Sequence, residues 1–344
     1  MCKFATTKRL RAVERGLGFI YQSACDPENF SIYGHDYLFS LHWVSSTSRD
    51  ANLRGLAWDM GRERAYHWRC EHSTVPPDID ADTMTHLIFG DLSADRFGVC
   101  DAWLKPHIRK AAPLFSSQDY FWFDPIAEPP PSDVPEDCDC EASNPRGSVT
   151  CGECKQPLSM TSPYEVWLVA LVRTYLGERY GVRIGARYSD VIQWLPTMRP
   201  YQMFEEGGEN NFIWSIYAIT HIVYTLNDYS SYKLSPRWLP EEYSFLKASL
   251  DQIIAMEDPE TLGEILDSLK AFGLTDKNEL ISRGEEYVLR TQNSDGSWGD
   301  VNADDIYDRY HSTLTAINGL REYNWCQTTL SFPELKPLLE RWAN

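Results

Sequence analysis

A polar turn held between a glutamine and a tryptophan most narrows what this chain can fold into. It reads Thr291-Gln-Asn-Ser-Asp-Gly-Ser-Trp-Gly-Asp300, and Tyr310-His311-Ser312-Thr313 follows shortly after. Gly296 and Gly299 permit the positive φ that a tight turn between helices demands. The Trp298 indole can cover the end of a neighbouring helix, and the Gln292 amide can satisfy backbone groups left open there. A helix-like segment from Ile306 to Tyr323 comes next, so the turn punctuates paired helices. An aromatic-capped loop of another kind would share the same Asn-x-Asp-Gly-x-Trp form.

The rest of the chain carries the same helical period. Residues 5–118 read as helices broken by short polar turns: Leu10–Ser23, Tyr37–Val44, Arg49–Cys70, Ala81–Phe89 and Ala102–Leu114. After residue 160 the spacing predicts Pro163–Tyr180, Phe212–Tyr224, Glu241–Ala255, Thr261–Phe272, Lys277–Gln292 and Pro333–Trp342. No alternating strand pattern interrupts them, which makes the fold all-α. Between them, residues 125–160 combine Pro129-Pro130-Pro131, a block of acids and four cysteines, a composition that cannot build a packed helix pair. The expected organisation is therefore residues 1–124, an insert over 125–160, and residues 161–344.

A formal net charge of −18 argues against nucleic acid or an anionic membrane as partner, since phosphate binding needs clustered Lys and Arg. No apolar run reaches the ~18 residues that a membrane span needs. The N-terminus, MCKFATTKRLRAVERG, has no apolar stretch behind its charges, so no signal peptide is read there. Cys2, Cys25, Cys70, Cys100 and Cys326 are scattered without pattern, which suits the reducing cytoplasm. Aromatic residues make up 13% of the chain, and helices so rich in rings suit either a deep apolar cavity or an aromatic core.

The clearest ligand spacing lies in the insert: Cys138-x-Cys140, ten residues, then Cys151-Gly-Glu-Cys154. Four thiolates with a CxxC at a glycine turn suit a closed, structural zinc site, and metal can supply folding energy where no core exists. Two disulfides or free thiols remain the alternative.

The Gln292–Trp298 turn resembles the QW repeat of the terpenoid-cyclase and protein-prenyltransferase toroids. Residues 304–320, Asp-Asp-Ile-Tyr-Asp-Arg-Tyr-His-Ser-Thr-Leu-Thr-Ala-Ile-Asn-Gly-Leu, look like the last repeat of protein prenyltransferase β-subunits. That resemblance implies an (α/α) barrel, or toroid, carrying a Cys-rich inserted loop. It also implies a zinc-ligand role for His311, with Asp308 three residues earlier able to reach the same ion. The family's Asp-x-Cys ligand pair is absent, which counts against protein prenylation. The Asp-x-Asp-Asp acid of squalene-type cyclases is absent too, for Asp78-Ile-Asp80-Ala-Asp82 lacks the final pair.

At positions 43 and 47 residues apart, the spacing of two-helix units, stand His221, Glu264 and His311. A His/carboxylate set suits zinc, iron(II) or manganese. His35, Asp36 and His42 share a helical face and could add ligands from the N-terminal half. Asp308, Asp228 and Asp267 are the candidate catalytic carboxylates, for a further ligand, an orienting contact or a general base. Each histidine could equally be a hydrogen-bonded core residue, and Glu264 a solvent-facing one. Asp304-Asp305-Ile-Tyr-Asp308 has the form of a magnesium-diphosphate motif, but acids at that place are explained by a helix N-terminus.

The expectation is an enzyme that uses a divalent metal, zinc or iron, as Lewis acid or oxygen activator on a largely apolar small molecule. A metal-free isoprenoid cyclase or isomerase, working through cavity carboxylates and aromatic rings, is one alternative. A non-catalytic helical scaffold that binds a protein partner through its Cys-rich loop is another.

Overall fold

The computed structural model describes residues 2–343, with side chains from Thr7 onward. Fourteen α-helices and three short 3-10 turns make up the regular structure of the described residues, which contain isolated bridges but no strand. The first eight are α1 (Cys2–Cys25), α2 (Pro27–Thr47), α3 (Ala51–Glu71), α4 (Ala81–Arg96), α5 (Leu104–Ala111), α6 (Ser117–Phe121), α7 (Pro163–Tyr180) and α8 (Tyr188–Ile192). Then come α9 (Phe204–Leu226), α10 (Pro240–Ala255), α11 (Pro259–Ala271), α12 (Glu279–Arg290), α13 (Ile306–Leu320) and α14 (Lys336–Trp342). None of these is long and apolar enough to cross a membrane.

The chain forms two compact units, one of Met1–Ile79, His86–Ile108 and Val223–Asn344, the other of Asp80–Thr85 and Arg109–Ile222. This division departs from the boundaries expected at 124 and 160. The change in composition marks where helix stops, whereas the units follow which segments are packed together. Residues 125–160 lack helix, as expected, yet they are tied into the second unit. Gln193 and Trp194 donate side-chain hydrogen bonds of 3.1 and 2.8 Å to the Pro125 carbonyl, and the Thr161 amide donates to Val134 O at 2.8 Å.

In the first unit, α11 is buried on every side from Thr261 to Ala271, and α13 from Ser312 to Leu320. A helix without an exposed face belongs in a core. The two touch backbone to backbone at Gly263, where a Cβ would lie 2.4 Å from the Thr315 carbonyl carbon and oxygen. Only glycine admits that approach. Lys270 Nζ reaches the carbonyls of Gly319, in the last turn of α13, and of Arg321 just beyond it, and pairs with Glu285 at 2.8 Å. This satisfies acceptors that a buried helix end would otherwise leave open.

The 291–300 turn works as its residues suggest. Trp298 is fully buried, and its Nε1 donates to Val288 O in the last turns of α12 at 2.7 Å. Gln292 Nε2 donates to Ala12 O of α1 at 2.8 Å and to Gly296 O at 2.9 Å. The turn thus staples α1, α12 and α13 together, with Gly296 and Gly299 at φ 97° and 86°.

Several helix limits differ from the sequence expectation, and two of them have a clear local cause. Helix α13 stops at Leu320 because Arg321 turns extended, its guanidinium buried on Thr47 Oγ1, Ser48 Oγ and Asn318 Oδ1. Helix α2 starts at Pro27, ten residues before Tyr37, capped by Asp26, whose carboxylate accepts from the Glu28 and Asn29 amides. Its apolar pattern is broken by His35 and Asp36, polar residues turned toward other helices.

Candidate active site

A cluster of ionisable groups in the first unit is built from α2, α11 and α13. The start of α11 is capped by Asp258, which accepts from the amides of Glu260 and Thr261 at 3.0 Å. That cap sets the phase of the helix, so Glu260 and Glu264, four residues apart, project from one face. The start of α13 is capped by Asp305, which accepts from the Tyr307 amide at 2.8 Å and from the Tyr33 hydroxyl at 2.6 Å. Asp305 is therefore a helix cap, as acids at that place suggest.

His311 Nδ1 lies 3.0 Å from Glu260 Oε1, with its N–H off the line of a good hydrogen bond, so the contact is chiefly ionic. Glu260 Oε2 takes the Ser312 hydroxyl at 2.8 Å. Tyr307 stacks on the imidazole, ring centroids 5.0 Å apart and planes 13° apart. From α2, Asp36 Oδ2 accepts from the Tyr310 hydroxyl at 2.8 Å. Tyr33 and Tyr37 pack against Tyr310 at centroid distances of 5.6 and 4.3 Å, extending an aromatic wall along the cluster.

Electrostatics separates these groups. Burial pulls His311 toward neutrality, but Glu260, then Glu264 and Asp36, outweigh it and bring its pKa up to about 9. Burial raises Asp36, against the opposing pulls of His311, Tyr310 and His86. The imidazolium thus stands beside carboxylates of which one is pushed toward its neutral form. The His311 side chain keeps 18% of its surface and Glu260 22%, so both remain reachable from solvent or a bound molecule.

The sequence candidates fall out unevenly. Glu264 is buried, which removes the solvent-facing alternative. His311 and Glu264 share the cluster through their charges, and Asp308 lies exposed at its edge, where burial, Asp305 and Glu260 raise its carboxyl. His221 belongs to the other compact unit, and its Nδ1 contacts the Tyr217 carbonyl of its own helix at 2.8 Å. The metal set of His221, Glu264 and His311 is thus divided between the two units. Asp267 is fully buried, and the Ser230 hydroxyl donates to both its oxygens at 3.1 Å. Burial pushes Asp267 up to about 6 against the pull of Arg321 and Lys270. Those bonds make it a tie between α11 and the 227–231 turn. Asp228 stands in that turn and lines a different cleft.

Glu260 escaped sequence reading because Asp-Pro-Glu opens many helices. Its place four residues before Glu264 was the available signal.

Among the described residues, one group of three or more His, Cys, Asp or Glu side chains brings its ligand atoms within 4.8 Å of one another: Cys138, Cys140, Cys151 and Cys154. Sulfur–sulfur distances are 3.4 Å for Cys138–Cys154 and Cys138–Cys140, and 3.6 Å for Cys140–Cys151. These are too long for a disulfide and suit thiolates around one ion. Backbone amides of Cys154 and Glu153 bring the Cys151 thiol down to about 6, while Cys138, despite the Cys140 amide, is pushed up to about 12 by its contacts with the Cys154 and Cys140 sulfurs. The bridges Thr150–Pro157 and Pro135–Met160 hold the two cysteine pairs in register. The four cysteines can hold a metal ion.

No family model matches the chain, and no curated protein or solved structure is significantly similar to it.

Proposed function

We propose that the chain is an enzyme performing acid–base chemistry on a largely apolar small molecule at the Asp36–Glu260–Glu264–His311 cluster. The observation that carries the reading is the His311–Glu260 pair, 3.0 Å apart, in which carboxylates hold an imidazolium charged where burial alone would neutralise it. Titratable neighbours whose environments push their pKa values apart divide into proton donors and acceptors. Asp36, raised by burial, is the natural acid, Glu264 the base, and His311 the cation that balances them. The rings of Tyr33, Tyr307 and Tyr310 supply π faces for positive charge developing on an apolar substrate.

The test is turnover of an apolar library, isoprenoids included, followed by mass spectrometry with and without a chelator. Asp36→Asn and His311→Gln are expected to lower the rate by roughly 10²–10⁴-fold, the range of general acid–base catalysis. Chelation is expected to leave it unchanged. Full activity in both variants would remove the reading.

The same carboxylates favour a second reading, a divalent zinc or iron ion on His311 and Glu264 with Asp36 or Glu260 completing the set. Such an ion would act as Lewis acid or oxygen activator. His311 must then lose its proton as metal binds, so activity and metal content would fall together on chelation and in His311→Gln.

We read the four-cysteine cluster as structural zinc, a closed site with no open position for substrate. A protein partner would meet the chain at this insert. The Gln292–Trp298 staple supports relating the helices to the α/α toroids, and free thiols at Cys25, Cys70, Cys100 and Cys326 suit the cytoplasm.

A further inference from the structure

A second cleft in the first unit has a different character. Arg96, His42, Ser231 and Asp228 line it, with Trp43 and Tyr229 in its wall, around roughly 400 Å³ of free space that includes solvent at the mouth. The Arg96 guanidinium, the His42 imidazole and the Ser231 hydroxyl make no hydrogen bond or ion pair among the described residues. His42 is held edge-on to Phe97, ring centroids 5.5 Å apart, and three polar groups that converge on one cleft without a protein hydrogen-bond partner are the arrangement that fixes a ligand's polar atoms. An unpaired guanidinium is the more telling in a chain of net charge −18.

The backbone supports this. Asp228, Tyr229 and Ser230 occupy the left-handed region in succession, at φ 55°, 47° and 66°, though none is glycine. Left-handed backbone costs L-residues roughly 1–2 kcal/mol apiece. The Asn227 side chain, accepting from the Ser230 amide at 2.8 Å, and Ser230 on Asp267 hold the turn. Its effect is to set Asp228, Tyr229 and Ser231 along the cleft, and strain kept in this way marks functional segments.

We propose that this cleft binds a small monocarboxylate with an apolar body, its carboxylate on the Arg96 fork and its body against Trp43 and Tyr229. A planar guanidinium matches a carboxylate's two oxygens, and Ser231 and His42 can each donate one further bond. Asp228 already sets one carboxylate in the lining, so the cleft's single guanidinium accommodates a singly charged anion better than a doubly charged one. A phosphate dianion would be left with excess charge beside that carboxylate. The site shares no residue with the Asp36–His311 cluster and stands whether or not that cluster is catalytic.

Calorimetric titration of the whole chain with benzoate tests it, with benzamide and inorganic phosphate as comparison ligands. Saturable benzoate binding is expected, weakened at least tenfold in Arg96→Gln, an equivalent of about 1.4 kcal/mol. Ser231→Ala, which removes one hydroxyl, is expected to weaken it measurably while circular dichroism stays unchanged. Absence of saturable benzoate binding would overturn the proposal. So would binding unchanged by both variants, or phosphate or benzamide binding as tightly as benzoate.

Discussion

Replacing Gly263 by alanine tests both how the core is built and how the core sets the site. A Cβ there would lie 2.4 Å from the Thr315 carbonyl carbon and oxygen and 2.8 Å from Ala316 N. These are backbone atoms, so no side chain can swing away, and α11 and α13 must separate by about 1 Å to restore ordinary contact. Overpacking of this kind costs about 1–3 kcal/mol, while alanine's better helix propensity returns about 1 kcal/mol. The net expectation is destabilisation by up to about 2 kcal/mol. Glu260 lies on one of these helices and His311 on the other, 3.0 Å apart. Opening that gap to ~4 Å at an effective dielectric constant of ~20 weakens their attraction by about 1.4 kcal/mol, or about one pKa unit. Urea denaturation followed by tryptophan fluorescence reads the first effect, and histidine NMR reads the second. A Gly263→Ala chain that is more stable than the parent, or that leaves the His311 titration in place, would refute the reasoning.

Trp298→Ala empties a fully buried site and is expected to cost roughly 3–5 kcal/mol. Trp298→Phe keeps a ring but removes the indole donor from the Val288 carbonyl, leaving it the Thr291 hydroxyl at 3.3 Å, for roughly 0.5–1.5 kcal/mol in the same denaturation assay. Cys151→Ser is expected to abolish the zinc measured by elemental analysis and to expose the 125–160 segment to protease, with helical circular dichroism retained. Because the folded pKa of His311, about 9, exceeds the ordinary histidine value of 6.5, its contribution to stability is fully present below pH 6.5 and is lost as pH rises through about 9. The stability gap between the parent and His311→Gln should therefore narrow by about 3 kcal/mol across that window, and parallel pH profiles would contradict it.

Helix class and the staple at 291–300 were legible because both rest on local chemistry. Period, glycine φ and the reach of an indole are written in neighbouring residues. The start of α2 was not legible, since Asp36 and His35 interrupt the apolar stripe used to recognise helices. Those interruptions are part of the ionisable cluster itself. Burial of Glu264 and the pairing of Glu260 with His311 depend on Gly263 letting two helices touch, an event 52 residues apart in sequence from Gly263 to Thr315. Repeat spacing singles out His221 with His311 and Glu264, and which compact unit a helix end joins is not written in that spacing. The cysteine cluster was the easiest site to read, because its ligands lie close in sequence and a short loop leaves them few other arrangements.

Titration of isotope-labelled histidine by NMR, with His311 assigned through His311→Gln, tests the charged pair at the centre of the proposed site most directly. The expected midpoint is about 9, falling by at least one unit in Glu260→Gln. A midpoint at or below 6.5, unmoved by Glu260→Gln, would show that the carboxylates do not hold an imidazolium there.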